Sequence, residues 1–221
     1  MKTVFFLLFT VAWLFSCHQT ASRQSDSPLH KKLVPYAQQY PGTGVRDTLL
    51  AGNIYLKYMV RGDTADGMLY ICYGGPGFDS IHTQKDGAPF SCNSWEYAYH
   101  TPQTIGLMYE CISGRELLVL PLDASGHAQV YTPLFMGMED SLLLVEGHRK
   151  SMEEHPALIA ADLDFKQQKS FQLSFDIPCD DLLACFDTIY FNKKLVMQYE
   201  SGKEGDEPVT RTQVEGLSWK K

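Results

Sequence analysis

From Asn53 onward the chain is dominated by short runs in which apolar and polar residues alternate. Ile54, Leu56, Tyr58 and Val60 fall on one side of the stretch Asn53 to Arg61. Past the turn residues Gly62-Asp63-Thr64-Ala65-Asp66-Gly67, Met68 to Tyr73 reads as its partner strand. Glu116 to Leu122 is a continuous apolar run that Asp123-Ala124-Ser125-Gly126 turns into Gln129 to Leu134. The cleanest alternation is Phe171, Leu173, Phe175 and Ile177 against Gln172, Ser174 and Asp176. It follows Leu163-Asp164-Phe165 and a Lys-Gln-Gln-Lys turn. Ile189-Tyr190-Phe191, a turn at Asn192-Lys193 and Leu195 to Tyr199 predict a further hairpin. Ser201 to Pro208 then turns the chain into Val209 to Val214.

Helical period is scarce. Pro28 to Gln39 reads as one short helix interrupted by Pro35 and closed by Pro41-Gly42. Met152 to Ala161 reads as a second, with Pro156 in its first turn. Many short strands with one or two short helices predict a mainly β protein, an antiparallel β-sandwich or open barrel, in a single domain over residues 28–221.

The N-terminus has another pattern. After Met1-Lys2, Val4 to Phe15 is apolar except for Thr10, and Leu14-Phe15-Ser16-Cys17 follows. About a dozen apolar residues behind a basic start read as a secretory signal, too short to span a bilayer. The Leu-x-Ser-Cys ending resembles the lipobox of bacterial lipoproteins. That resemblance implies a signal peptide at 1–16, cleavage before Cys17, and acylation of the Cys17 thiol and its new amino group. Several acyl chains anchor a protein where one would be marginal. Residues 17–27 are then the anchored cysteine and a polar, flexible tether. Some Bacteroidota lipoproteins carry an acidic cluster after the lipidated cysteine that directs them to the cell surface. Here Asp26 is the one acid in that stretch, so the resemblance implies an outer-membrane lipoprotein facing the periplasm.

Composition narrows the partners. The formal charge of −7 becomes −8 once Lys2 leaves with the signal, and no dense Lys/Arg cluster occurs. That lacks the basic footprint of nucleic-acid binding and leaves membrane attachment to the lipid on Cys17. Besides Cys17, the cysteines are Cys72, Cys92, Cys111, Cys179 and Cys185. Export implies an oxidising compartment, and Cys179 with Cys185 is the favoured local disulfide. Cys92 with Cys111 or Cys72 is the second choice, and buried reduced thiols are the alternative to both.

No motif dictates catalysis. Tyr73-Gly74-Gly75-Pro76-Gly77 resembles the His-Gly-Gly-Pro-Gly oxyanion loop of proline iminopeptidases. However, Tyr73 stands where that family has His, and the chain contains no Gly-x-Ser-x-Gly elbow. The string reads as a turn, with Pro fixing φ and Gly supplying positive φ. Cys92 with His100 or His82 is a nominal thiol–imidazole pair, and Asp162 with Asp164, or Glu153 with Glu154, are nominal carboxylate pairs. None has a diagnostic spacing. Cys-x-x-Cys, His-Glu-x-x-His and calcium-loop patterns are missing, so no metal or other cofactor is expected.

The stretch Pro89 to Tyr109 is the richest in binding chemistry. Period two would place Trp95, Tyr97 and Tyr99 on one strand face beside Asn93 and Glu96. Asp79-Ser80-Ile81-His82 and Gly87 would be rim loops. Aromatic faces flanked by amides and carboxylates suit sugar rings and protein partners, although the same row also suits a core. The expectation is a non-catalytic envelope lipoprotein, a binding or accessory module for glycan or protein. The alternatives are a periplasmic hydrolase with an unrecognised site and a purely structural envelope component.

Overall fold

The computed structural model describes residues 33–39, 47–61, 68–85, 95–111, 114–147, 157–174, 182–202, 207 and 209–220. The first sheet comprises β1 (Leu33–Pro35), β2 (Thr48–Leu50), β3 (Ile54–Arg61), β4 (Met68–Gly75) and β5 (Phe78–Lys85). Its order is β1-β3-β4-β5, with β2 also on β3. The second is a seven-stranded meander: β6 (Glu96–His100), β7 (Thr104–Cys111), β8 (Gly114–Pro121), β9 (Gln129–Gly137), β10 (Leu142–Glu146), β11 (Leu158–Asp162) and β12 (Gln168–Phe171). The third is β13 (Phe186–Asn192), β14 (Lys194–Ser201) and β15 (Val209–Glu215). Two four-residue helices, α1 (Tyr36–Gln39) and α2 (Leu182–Cys185), and a 3-10 turn at Ala51–Asn53 complete the described elements. Among the described residues the strands pair antiparallel and no barrel closes, so the mainly β, sandwich-like class is as the alternation predicts.

Alternation sets the layers. Ile54, Leu56, Tyr58 and Val60 of β3 are buried, and with Ile71 and Tyr73 of β4 they pack on Ile105, Leu107, Leu118 and Leu120 of the central sheet. Further along, Leu142, Leu144, Leu158 and Ala160 pack on Leu195, Met197 and Tyr199 of the third sheet. The alternate residues Leu117, Val119, Leu143 and Val145 build a separate core with Tyr99 and Leu163 on the opposite face.

That second face is enclosed by the central sheet itself. β6 and β11 are five strands apart, about 24 Å if the sheet were flat. Yet the Tyr99 hydroxyl of β6 donates to the Leu163 carbonyl just past β11 at 3.1 Å. The sheet therefore curls, and side chains rather than a backbone ladder hold the ends together. Thr104 Oγ1 lies 2.9 Å from Asp164 Oδ1 and 3.2 Å from the Leu163 carbonyl, and Thr101 Oγ1 also donates to Asp164. In the same turn Phe165, at φ 55°, stacks on Tyr131 with ring centroids 4.3 Å apart.

Several expectations need correction. The predicted helix Met152 to Ala161 contains strand β11 from Leu158 onward, while residues 151–156 lie outside the described part. β11 has Leu158 and Ala160 in one core and Ile159 against the other, and a strand buried on both faces loses its alternation. The predicted helix Pro28 to Gln39 is helical only at Tyr36–Gln39 within its described part, and Pro35 ends edge strand β1, where its missing N–H is tolerated. The cleanest alternation is not a strand across its described part: β12 ends at Phe171, and Gln172 to Ser174 are irregular. There the Gln213 side chain replaces a ladder neighbour. Its Oε1 accepts from the Ser174 amide at 2.9 Å, and its Nε2 donates to the Gln172 carbonyl at 3.0 Å. Asp79 to His82, expected as loop, is the middle of β5.

Glu215 supplies a pH test. Burial tends to raise its pKa, but hydrogen bonds from Lys169 and Gln213 and the Lys169 charge outweigh that and hold it below the ordinary 4.5. A carboxylate depressed in the folded state adds stability above its unfolded value and loses it as pH falls towards the folded one. Denaturation midpoints of the wild type should therefore fall more steeply below about pH 4.5 than those of Glu215→Gln. Parallel curves would show that the Lys169 pair contributes nothing.

Candidate functional site

Meanders put alternate turns at the same end, and three meet here. Ala51–Asn53 links β2 to β3 with Gly52 and Asn53 at φ 74° and 59°. Pro76-Gly77 links β4 to β5 with Gly77 at φ 82°, and Gly75 pairs with Phe78 across it. The Gly-Gly-Pro-Gly string is thus a tight hairpin turn. A Cβ on Gly74 would overlap the Phe78 carbonyl, which explains glycine there. Thr101 and Pro102, between β6 and β7, supply the third turn. Between these turns lies an open cleft of about 390 Å³, and Ile54, Pro76, Phe78, Pro102, Leu122 and His100 supply much of its lining.

The aromatic row does not share a face. Trp95 is buried in the core beneath the first sheet, 5.2 Å from the Tyr109 ring, and its carbonyl accepts from the Tyr58 hydroxyl. Tyr99 is buried on the opposite side of the sheet, and Tyr97 is 42% exposed. The register explains the split. Tyr97 pairs with Leu107 and Tyr99 with Gly106, so Ala98 is an extra bulged residue that flips everything after it. The same flip returns His100 to the side of Tyr97, whose hydroxyl lies 2.7 Å from His100 Nδ1.

Of the remaining expected residues, Glu96 is exposed on edge strand β6, and Asn93 lies outside the described residues. His82 sits half-buried on β5 opposite Ile71, and it is not among the cleft residues. Burial lowers its pKa, against a hydrogen bond with Gln84. Cys17, Cys92 and Cys179 lie outside the described residues, while Cys185 is buried at the end of α2. Cys72 is a free thiol that burial pushes up to about 11, so at neutral pH it is protonated and a poor nucleophile. Among the described residues no three His, Cys, Asp or Glu side chains gather as a metal site would require.

Phe78, His100, Thr101, Pro102 and Leu122 went unrecognised as cleft residues in the sequence. The usable signal was turn spacing: the turns at Ala51-Gly52 and Pro76-Gly77 enclose two paired strands, which forces them to one end. Comparison with protein families, characterised proteins and solved structures finds no match for this chain.

Proposed function

We propose that this protein is a lipid-anchored, non-catalytic binding module of the bacterial envelope, held at the outer membrane by Cys17 and facing the periplasm. Its ligand site is the cleft between the three turns, and its ligand a glycan. The observation that carries this is the cleft itself. At about 390 Å³ it falls within the range of small-molecule sites, with apolar walls and a few polar groups. The Phe78 ring offers a π face for the C–H side of a sugar ring, and Pro76 and Pro102 add apolar surface beside it. The location rests on the lipobox-like sequence, and a Cys179–Cys185 disulfide belongs to the same reading. Alkylation and mass spectrometry before and after reduction test that pair.

The test uses the full chain in a detergent without a sugar headgroup, screened against neutral glycans by thermal denaturation. A ligand at ten times its Kd should stabilise the protein by about 1.4 kcal/mol, and Phe78→Ala should remove the shift. No shift with any glycan sinks the binding reading. Separately, Cys17→Ala should abolish fatty-acid labelling, and persistent labelling would sink the anchor.

A further inference from the structure

Tyr97 and His100 act as a pair because the bulge at Ala98 returns them to one side of β6. Burial raises the pKa of the Tyr97 phenol, against a hydrogen bond with the His100 backbone, so the phenol keeps its proton at neutral pH. The Tyr97 phenol and His100 Nδ1 lie 2.7 Å apart, and in the arrangement where the phenol donates, the neutral imidazole carries its own proton on Nε2. With Nδ1 engaged by Tyr97, Nε2 is the ring nitrogen of this cleft residue left to meet a ligand.

The surroundings restrict what meets that donor. Among the described residues no acidic, lysine or arginine side chain lines the cleft, so an ionic ligand would lose hydration there without compensation. Thr101, the other polar side chain in the described lining, spends its one hydroxyl proton on Asp164. The remaining walls are apolar or glycine. An occupant must therefore be uncharged, bring an acceptor oxygen for Nε2–H and carry an apolar group beside it.

Resting on the reading of the cleft as a glycan site, we infer that it selects the acetamido group of an uncharged N-acetylated amino sugar, with Tyr97 as the positioning residue that fixes the His100 tautomer. The acetamido carbonyl accepts from Nε2–H, and its methyl packs on the apolar wall. A hexose without the acetamido group leaves the donor poorly matched and the wall uncovered.

The probes are diacetylchitobiose and cellobiose, which share ring size and linkage and differ in the acetamido groups. Each is titrated calorimetrically into the full chain in sugar-free detergent. Diacetylchitobiose should bind about tenfold more tightly or better, the penalty for leaving a hydrogen-bonding site unmatched. Tyr97→Phe should weaken diacetylchitobiose about fivefold and leave cellobiose unchanged, since a freed ring divides between tautomers. Proton–nitrogen correlation spectra should show His100 protonated at Nε2 in the wild type and as a mixture in Tyr97→Phe, a change that loss of packing alone would not produce. Equal affinity for the two sugars, or a Tyr97→Phe variant with unaltered spectrum and affinity, overturns the inference while leaving the cleft as a glycan site. Tighter binding of N-acetylphenylalanine amide also overturns it, in favour of a peptide. Failure of every sugar removes the glycan reading as well.

Discussion

Gly106→Ala is expected to destabilise the protein by about 3 kcal/mol, a large fraction of the 5–15 kcal/mol that holds a typical domain. Gly106 lies opposite Tyr99 in the β6–β7 pair, and a Cβ there would overlap the Tyr99 ring. The ring cannot retreat: it is 1% exposed, and its hydroxyl is tied to the Leu163 carbonyl. Chemical denaturation of Gly106→Ala and of Gly106→Ala/Tyr99→Leu measures this. The double variant should be the more stable of the two, because shortening residue 99 relieves the overlap. A single variant that unfolds at the wild-type midpoint would show that the ring has room the geometry denies it.

The second large effect separates neighbours in the aromatic row. Trp95→Ala should cost about 3–5 kcal/mol, because a fully buried indole leaves a cavity beneath the first sheet that the surrounding strands fill only in part. Tyr97→Ala, two residues on and 42% exposed, should cost far less, about 1 kcal/mol or below. Equilibrium denaturation of both variants decides the matter. Comparable losses would mean that Tyr97 is also part of a core, and the cleft would then lose its positioning residue.

Sequence spacing revealed the strands whose one face meets water. The alternation in β3 and the hairpin β13–β14 are plain because each has a less buried side and a marked turn. In contrast, β8, buried on both faces from Leu117 to Leu120, is legible from its apolar run and the turn that follows. Strands such as β10 and β11 were obscured by burial on both faces, which erases the period that identifies a strand. The site suffered from a different cause. Period two gave Trp95, Tyr97 and Tyr99 a common face, and one bulged alanine cancels it, with nothing in Ala98 itself to announce the bulge. The cleft was harder still, since its residues come from turns brought together by packing between sheets. Gln213 illustrates the limit: a side-chain amide replacing a strand neighbour leaves no pattern to read.

The curled sheet bears on the order in which the chain acquires its shape. In the central and third sheets every strand pairs with its neighbour in sequence, so hairpin can add to hairpin as the polypeptide emerges N-terminus first. Such short loops close cheaply and early. The contacts that bend the central sheet are of another kind, since Tyr99 meets Leu163 across 64 positions and Thr101 meets Asp164 across 63. They have no partner until β11 has docked. The separation of these contacts predicts that the curl closes late, sealing the second core after most of the hydrogen-bonded ladder is in place.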